Sequence, residues 1–337
     1  MGSKRPLVSR PVLRYFEAMP QSTESQHLSV RSSIDLGTNT CLLLVAQWDF
    51  SSREIQKVLG DFATVVRLGQ GVDLNRAFIS VAMERTLTCL KDYALKLRAL
   101  GGDTRETICV ATSGSRDAAN SADFFAQVER ETGFKFRRIS GDDEARLTHL
   151  GGLLPGMTPE KTAVIDIGGG STEYMIAGRG QSVDIGSVRF TERYLKTDPN
   201  TAVSDEQFWK CQAAVDDALL SAEMPEWRAA LSGNIGLCAV AGTATTLAAW
   251  QAGMDVFNAE RIDQIELTRG DVHRAVEELK WRTVEERRKL PGIEEGRADV
   301  LLAGALILWR SMEILNFASV RISSRGLRFG ALRALDP

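Results

Sequence analysis

The sequence predicts an α/β protein made of two related halves facing each other across a central cleft. Three observations carry that expectation. Strands, glycine-containing turns and helices alternate along the chain, the pattern of α/β domains. The stretches Ile34-Asp35-Leu36-Gly37-Thr38-Asn39-Thr40 and Ile165-Asp166-Ile167-Gly168-Gly169-Gly170-Ser171 share one pattern, each between two apolar strands; such internal repetition speaks about architecture. The length, 337 residues, suits about two domains.

The repeated loops also point to chemistry. Three successive glycines contribute no packing and cost backbone entropy. A chain carries them where backbone must approach a ligand closely or φ must be positive. Between two strands they present several N–H donors at one point, an anion cradle. An aspartate beside a bound anion makes sense with a divalent cation between them. A single such loop reads equally well as an ordinary hairpin; the second copy favours a shared anion site.

Composition narrows the classes. The chain is 44% hydrophobic and 25% charged, ordinary for a globular protein. With a formal net charge of −3, no bulk field favours nucleic acid or membrane, so an anionic ligand needs local arginines and backbone amides. No apolar run reaches the roughly 18 residues of a spanning helix. Residues 1–29 are polar, carry scattered basic groups (Lys4, Arg5, Arg10, Arg14) and lack the apolar core of a secretory signal; they read as a disordered or loosely attached tail. The cysteines, none in a CxxC, read as reduced, buried thiols of a cytoplasmic protein. His27, His149 and His273 are isolated, so no zinc site is expected.

In chain order, strands are expected at 31–34 and 41–47, with more strand at 58–59 and 64–68. Ser80 is the expected N-cap of a helix ending at Gly101-Gly102; Leu90, Tyr93, Ala94 and Leu97 follow its period. A buried strand at 107–111 enters a turn carrying Arg116, then a helix over 121–132. Strand 136–139 precedes a helix capped by Ser140, Asp142 or Asp143. The second half repeats the plan. Strand occupies 162–177 around the triple-glycine loop, a third strand lies near 182–188, and a helix spans 205–222. Residues 238–247 form a strand, glycine turn and helix start. Helices fill most of 268–280, 283–288 and 297–315; strand 320–324 and a short terminal helix follow.

With these stretches in view, the sequence resembles the exopolyphosphatase/guanosine pentaphosphate phosphohydrolase family. The resemblance spans about 30 to 335. It rests on Asp35–Thr40, Ala111–Arg116, Ser140–Arg146, Val164–Glu173, Ala241–Thr245 and Ser324–Gly330, in that order. It implies two actin-like (ribonuclease H-like, ASKHA) lobes around a central cleft: lobe I at 30–142, with 323–337 returning to it, and lobe II at 143–322. Larger members add a C-terminal helical domain, and this chain resembles the short two-domain form. The implied reaction removes the terminal phosphate of inorganic polyphosphate, of guanosine pentaphosphate, or of both. The implied setting is cytoplasmic, with a homodimer as the assembly and no nucleic-acid or membrane partner.

Residue by residue, the resemblance makes Glu144 the general base for the attacking water. It makes Asp35 and Asp166 the carriers of Mg²⁺ (or Mn²⁺). Gly37, Thr38, Asn39 and Thr40 would hold phosphate from one lobe, Gly168, Gly169, Gly170 and Ser171 from the other, and Arg116 by its guanidinium. Gly242 and Thr243 would touch distal phosphates or support the cleft, and Arg137, Arg138, Arg325 and Arg328 are candidate cations along it. The rival readings are an actin-like ATPase or sugar kinase, and a non-catalytic polyphosphate or nucleotide sensor.

Overall fold

The computed structural model describes residues 28–176, 179–196, 198–222 and 235–334. Two mixed sheets organise it. The first contains β1 (Leu28–Leu36), β2 (Thr40–Asp49), β3 (Glu54–Val65), β4 (Ile108–Ala111) and β5 (Phe136–Arg138), in the order β3-β2-β1-β4-β5. The second contains β6 (Thr162–Ile167), β7 (Thr172–Ile176), β8 (Arg179–Val183), β9 (Gly236–Val240), β10 (Glu266–Thr268) and β11 (Ser319–Ile322), in the order β10-β11-β9-β6-β7-β8.

The two orders share one plan. In each sheet three strands form an antiparallel meander, and the first of them pairs in parallel with a later strand. A further parallel strand follows, β5 beside β4 and β11 beside β9. This is the duplication that the twin Asp-Gly loops predict. Only β10 is extra, an antiparallel edge on β11.

Among the described residues the frame is completed by the helices α1 (Ser80–Ala99), α2 (Ser113–Asp117), α3 (Ser121–Thr132), α4 (Gly141–Gly152), α5 (Ser187–Phe190), α6 (Asp205–Ser221), α7 (Ala241–Gln251), α8 (Arg269–Trp281), α9 (Leu301–Ile314) and α10 (Leu327–Ala334), besides other short helical turns. In α1 the buried residues Ala82, Thr86, Cys89, Leu90, Tyr93, Ala94 and Leu97 form one stripe. Its N-cap is Ile79 rather than Ser80, which already lies in the first turn. It stops where Gly101 takes a φ of 83° and the Gly102 amide donates to the Leu97 carbonyl at 3.0 Å.

Two other expectations shift. Residues 58–59 and 64–65 belong to one continuous strand, β3, which lies at a sheet edge with no buried residue, and 66–68 follow it. The strand expected near 182–188 ends at Val183, and Ser187–Phe190 is helical. There the Ser187, Val188 and Arg189 amides donate to the Gly168 and Gly169 carbonyls, so tertiary contact overrides the apolar run. Of the expected tail, residues 1–27 lie outside the described residues; Leu28 and Ser29 begin β1. All five cysteines are buried and free.

The element that positions the site is α4. On one side Ala145 packs with Val164, Met175, Cys238 and Val240 of the second sheet. On the other, Leu147 packs with Ile108 and Val110 of the first sheet and with Leu327 and Ala331 of α10. The Ser140 hydroxyl caps α4 by accepting from the Asp143 amide at 3.1 Å. Helices α4 and α10 cross at glycines. A Cβ on Gly330 would stand 1.8 Å from the Leu147 carbonyl oxygen, and one on Gly151 would stand 2.1 Å from that of Gly326. Both obstacles are backbone and cannot swing aside.

Gly330→Ala is therefore expected to destabilise the protein by about 1–3 kcal/mol, as overpacked cores do. The check is a lower urea midpoint with an unchanged slope; an unchanged midpoint would mean that the crossing is not tight.

Candidate active site

Both Asp-Gly loops close as the same four-residue hairpin turn. The Gly37 amide donates to the Thr40 carbonyl at 2.9 Å, and the Gly168 amide to the Ser171 carbonyl at 3.0 Å. Those two amides are therefore used within the turns. Among the described residues, the amides of Thr38, Asn39, Gly169 and Gly170 have no protein acceptor. They are the donors left for an anion.

None of the loop glycines 37, 168, 169 or 170 has a positive φ. Close approach is what demands them. A Cβ on Gly169 would strike Thr38 at 2.9 Å, and one on Gly170 would strike the Ser113 hydroxyl at 2.7 Å. The two loops thus touch at Thr38, whose hydroxyl lies 3.1 Å from that of Ser113.

The matched hairpins place one more acid that sequence reasoning left without a role. In the β6–β7 ladder Asp166 stands opposite Glu173; in the β1–β2 ladder the corresponding partner of Asp35 is Leu42. Residues directly opposite across an antiparallel pair are neighbours on one face. Equal distance from the turn was the signal that could have found Glu173. Its Oε1 accepts from the Ser171 hydroxyl at 2.6 Å and the Ser182 hydroxyl at 2.8 Å, while its Oε2 is buried without a partner.

Asp35, Asp166 and Glu144 line one cavity of about 460 Å³ between the two sheets, together with Gly37, Thr38, Asn39, Thr40, Gly168, Gly169, Gly242 and Thr243. Gly170 and Ser171 lie behind its wall, Ser171 fully buried on Glu173. Arg116, on α2, reaches the cavity through another residue: its Nη1 donates to Glu144 Oε2 at 2.8 Å and to the Ile139 carbonyl at 3.0 Å. Arg325 and Arg328 line the cavity; Arg137 and Arg138 do not, and both are exposed on β5. Arg328 is held by Asp61 through two hydrogen bonds of 2.8 and 2.7 Å.

Charge in this hollow is crowded. Burial, and then the neighbouring Asp166 and Glu144 charges, hold the Asp35 carboxyl well above the usual range, against a pull from Arg328. Burial and the Glu144 charge push Asp166 up to about 7, although the Thr148 hydroxyl donates to it at 3.3 Å. Burial raises Glu173 strongly, with Glu144 and Asp166 adding to it. Glu144 is also raised by burial, but Arg116 opposes the shift. Opposed pressures of this kind mark an acid whose proton affinity is set by its site.

At the far end of the cleft Ala241, a non-glycine with φ 64°, starts α7 from β9. Arg297 lies there, unforeseen from the sequence. Its guanidinium occupies the space a Cβ on Gly242 would need, and its Nη2 lies 3.3 Å from the Thr40 hydroxyl.

Comparison with known proteins bears on this geometry. Residues 50–335 match the model of the Ppx/GppA phosphatase family. The chain belongs to that family. A bifunctional 3-dehydroquinate synthase/phosphatase of Fusobacterium nucleatum is 30% identical over 90% of the chain, which spans only 46% of that protein. Exopolyphosphatase 2 of Mycobacterium tuberculosis is 33% identical over 82% of the chain and 88% of its own length. The crystal structure of an exopolyphosphatase-like protein superposes with a TM-score of 0.80 at 30% identity, covering 91% of this chain and 98% of that one. The Ppx/GppA enzyme of Aquifex aeolicus gives a TM-score of 0.72 at 26% identity, over 91% and 99%.

The acids also fit a divalent cation. Among the described residues no three His, Cys, Asp or Glu side chains come close enough together to hold a metal ion, so the fit is to a cation such as magnesium, which accepts one or two carboxylates and keeps much of its water. Asp35 and Asp166, at the ends of β1 and β6, have no basic side chain within ion-pair distance among the described residues.

A carboxyl whose folded pKa exceeds its unfolded value stabilises the fold fully below the unfolded value, and that contribution is lost as pH rises through the folded one. For Asp166 the window runs from 3.8 to about 7. Without divalent ions, the stability of the wild type relative to Asp166→Asn should fall across that window, by up to about 1.4 kcal/mol per pH unit. Urea titrations at several pH values measure it; a flat difference would refute the shift.

Proposed function

We propose that this protein is a hydrolase that releases the terminal phosphate of inorganic polyphosphate, of guanosine pentaphosphate, or of both. One observation carries the proposal most directly: a buried glutamate, held by an arginine, faces the same hollow as two unpaired aspartates between twin glycine loops. Relatives of this chain bear the names exopolyphosphatase and guanosine-5'-triphosphate,3'-diphosphate pyrophosphatase, which supports the substrate class. The lobes divide at 142/143 in this reading, with 323–337 returning to the first. A cytoplasmic setting agrees with the five free thiols, and among the described residues no helix is long and apolar enough to cross a membrane. A homodimer remains the assembly the resemblance implies.

The mechanism follows from the residues. Free loop amides at 38, 39 and 169 orient the terminal phosphoryl group, and Arg116 acts through Glu144. Asp35 and Asp166 would hold Mg²⁺ or Mn²⁺, which would neutralise phosphate charge. Glu144 accepts a proton from water as the water oxygen bonds to the terminal phosphorus. The bond from that phosphorus to the bridging oxygen breaks, and the shortened chain leaves with the electron pair. The amides stabilise the transferring group electrostatically, which is most of what phosphoryl transfer asks of a protein. Gly242 and Thr243 support the cleft or meet distal phosphates.

Phosphate release from polyphosphate, guanosine pentaphosphate and ATP, each with magnesium, tests the reading. Release from ATP alone would favour an ATPase, and binding without release a sensor. Glu144→Gln should keep its fold and lose about 10²–10⁴ in rate, the usual worth of a general base; near-normal turnover would reject the assignment. Arg116 lowers the Glu144 pKa, so Arg116→Met should move the acidic limb of the pH–rate profile to higher pH as well as lowering kcat/KM. An unmoved limb would separate Arg116 from the base.

A further inference from the structure

Behind the first Asp-Gly loop lies a second cavity, of about 190 Å³. It shares only Asn39 and Val300 with the cleft. Arg67, Lys196, Arg287 and Arg288 line it, against two carboxylates, Glu192 and Asp299. Those acids are largely committed elsewhere. Asp299 binds Arg67 through two hydrogen bonds of 2.7 and 2.8 Å. Glu192 accepts from the Gly71 amide at 3.2 Å, and burial raises its pKa.

The cations are unevenly served. Arg288 pairs with Glu285. Among the described residues, neither Arg287 nor Lys196 has a carboxylate at ion-pair distance. Arg287 is 2% exposed, and its Nε donates to the Leu279 carbonyl at 2.9 Å. Burial lowers its pKa to about 10, so it stays charged at neutral pH. The Asp299 charge favours it from beyond ion-pair distance, but a buried guanidinium with no closer counter-ion is costly. Two more lining residues hold buried polar atoms without partners, Asn39 Oδ1 and Thr191 Oγ1; their side chains sit in residues only 7% and 9% exposed. Unsatisfied groups converging on a cavity ask for a ligand.

We propose that this cavity is a second oxyanion site, distinct from the hydrolytic centre, which takes one phosphate group between Arg287, Arg288 and Lys196. The Thr191 hydroxyl donates to it, as does the Asn39 carboxamide after an amide flip. Asn39 and Arg67 come from the first half of the chain, and Thr191 and Arg287 from the second. A bound phosphate therefore ties the two halves together directly behind the catalytic loop. The site stands whether or not the cleft hydrolyses polyphosphate, because its evidence is the stranded charge. Its phosphate comes either from solution or from the far end of a long substrate.

Equilibrium dialysis of the magnesium-loaded protein against radiolabelled inorganic phosphate counts the sites. The wild type is expected to bind two phosphates per chain. Lys196→Met/Arg288→Met, whose side chains are partly exposed, should keep the fold and weaken one site by roughly tenfold or more, as loss of charge-assisted hydrogen bonds does. Arg287→Met should remove that site without leaving a stranded charge. A single phosphate per wild-type chain, or a second site unchanged in the double variant, would overturn the proposal. Long polyphosphate added in the Glu144→Gln background, where chains survive, separates the sources. Displacement of the second phosphate assigns the site to the substrate's distal end, and retention assigns it to free phosphate.

Discussion

The structure depends on holding four carboxylates where their charges oppose one another. Asp35, Glu144, Asp166 and Glu173 each have a raised pKa, and burial is the largest cause every time. Left to itself such a group would relax toward water. It cannot, because two of the acids end central strands, a third lies opposite one of them, and the fourth sits in the first turn of α4. Packing of α4 between both sheets supplies the restraint. Strain of this kind is retained at sites where a cation or a proton completes the charge balance.

The same frame decides how the halves meet. Around α4 and α10 the joint is apolar, through Ile108, Leu147, Leu327 and Ala331. Elsewhere charge pairs join the halves. Arg67 reaches Asp299, and Arg189 reaches both Asp73 and Asp117 at 2.7 Å. Arg189 also donates to the Gly170 carbonyl at 2.7 Å, so closing the halves and setting the triple-glycine loop are one act. The Arg189 side chain is only 10% exposed, so its pairs are shielded from water, whereas the partly exposed Arg67–Asp299 pair is screened by it.

Most of the architecture was legible because it is written twice. The repeated Asp-Gly hairpins revealed the duplication, and α1, α3 and α6 lie within a residue or two of the helices expected from the sequence. What escaped was set by contact between distant segments. Ser187–Phe190 turns helical because its amides meet the glycine-loop carbonyls, which no local pattern encodes. Glu173 was visible in the motif, but its role emerges only from register. Arg116 was read as a phosphate ligand; the structure adds that it holds Glu144. Arg297 and Arg287 lie in stretches with no motif; contact with Gly242 singles out the first, and burial without a carboxylate at ion-pair distance the second.

Arg297 bears on the choice between hydrolase and kinase. In the kinase or ATPase reading a nucleoside would rest against a second glycine turn, and the resemblance puts Gly242 in that place. The Arg297 guanidinium already fills that face of Gly242 and reaches toward Thr40 of the first loop. Its paired acid, Glu294, is half exposed, so solvent screens that pair and leaves much of the positive charge directed into the cleft. A flat, uncharged base gains little from replacing it, whereas a phosphate gains a charge-assisted contact. From Asp35 to Arg297 the cleft is lined by carboxylates, loop amides and arginines, a surface that suits a charged ligand better than a flat, uncharged base.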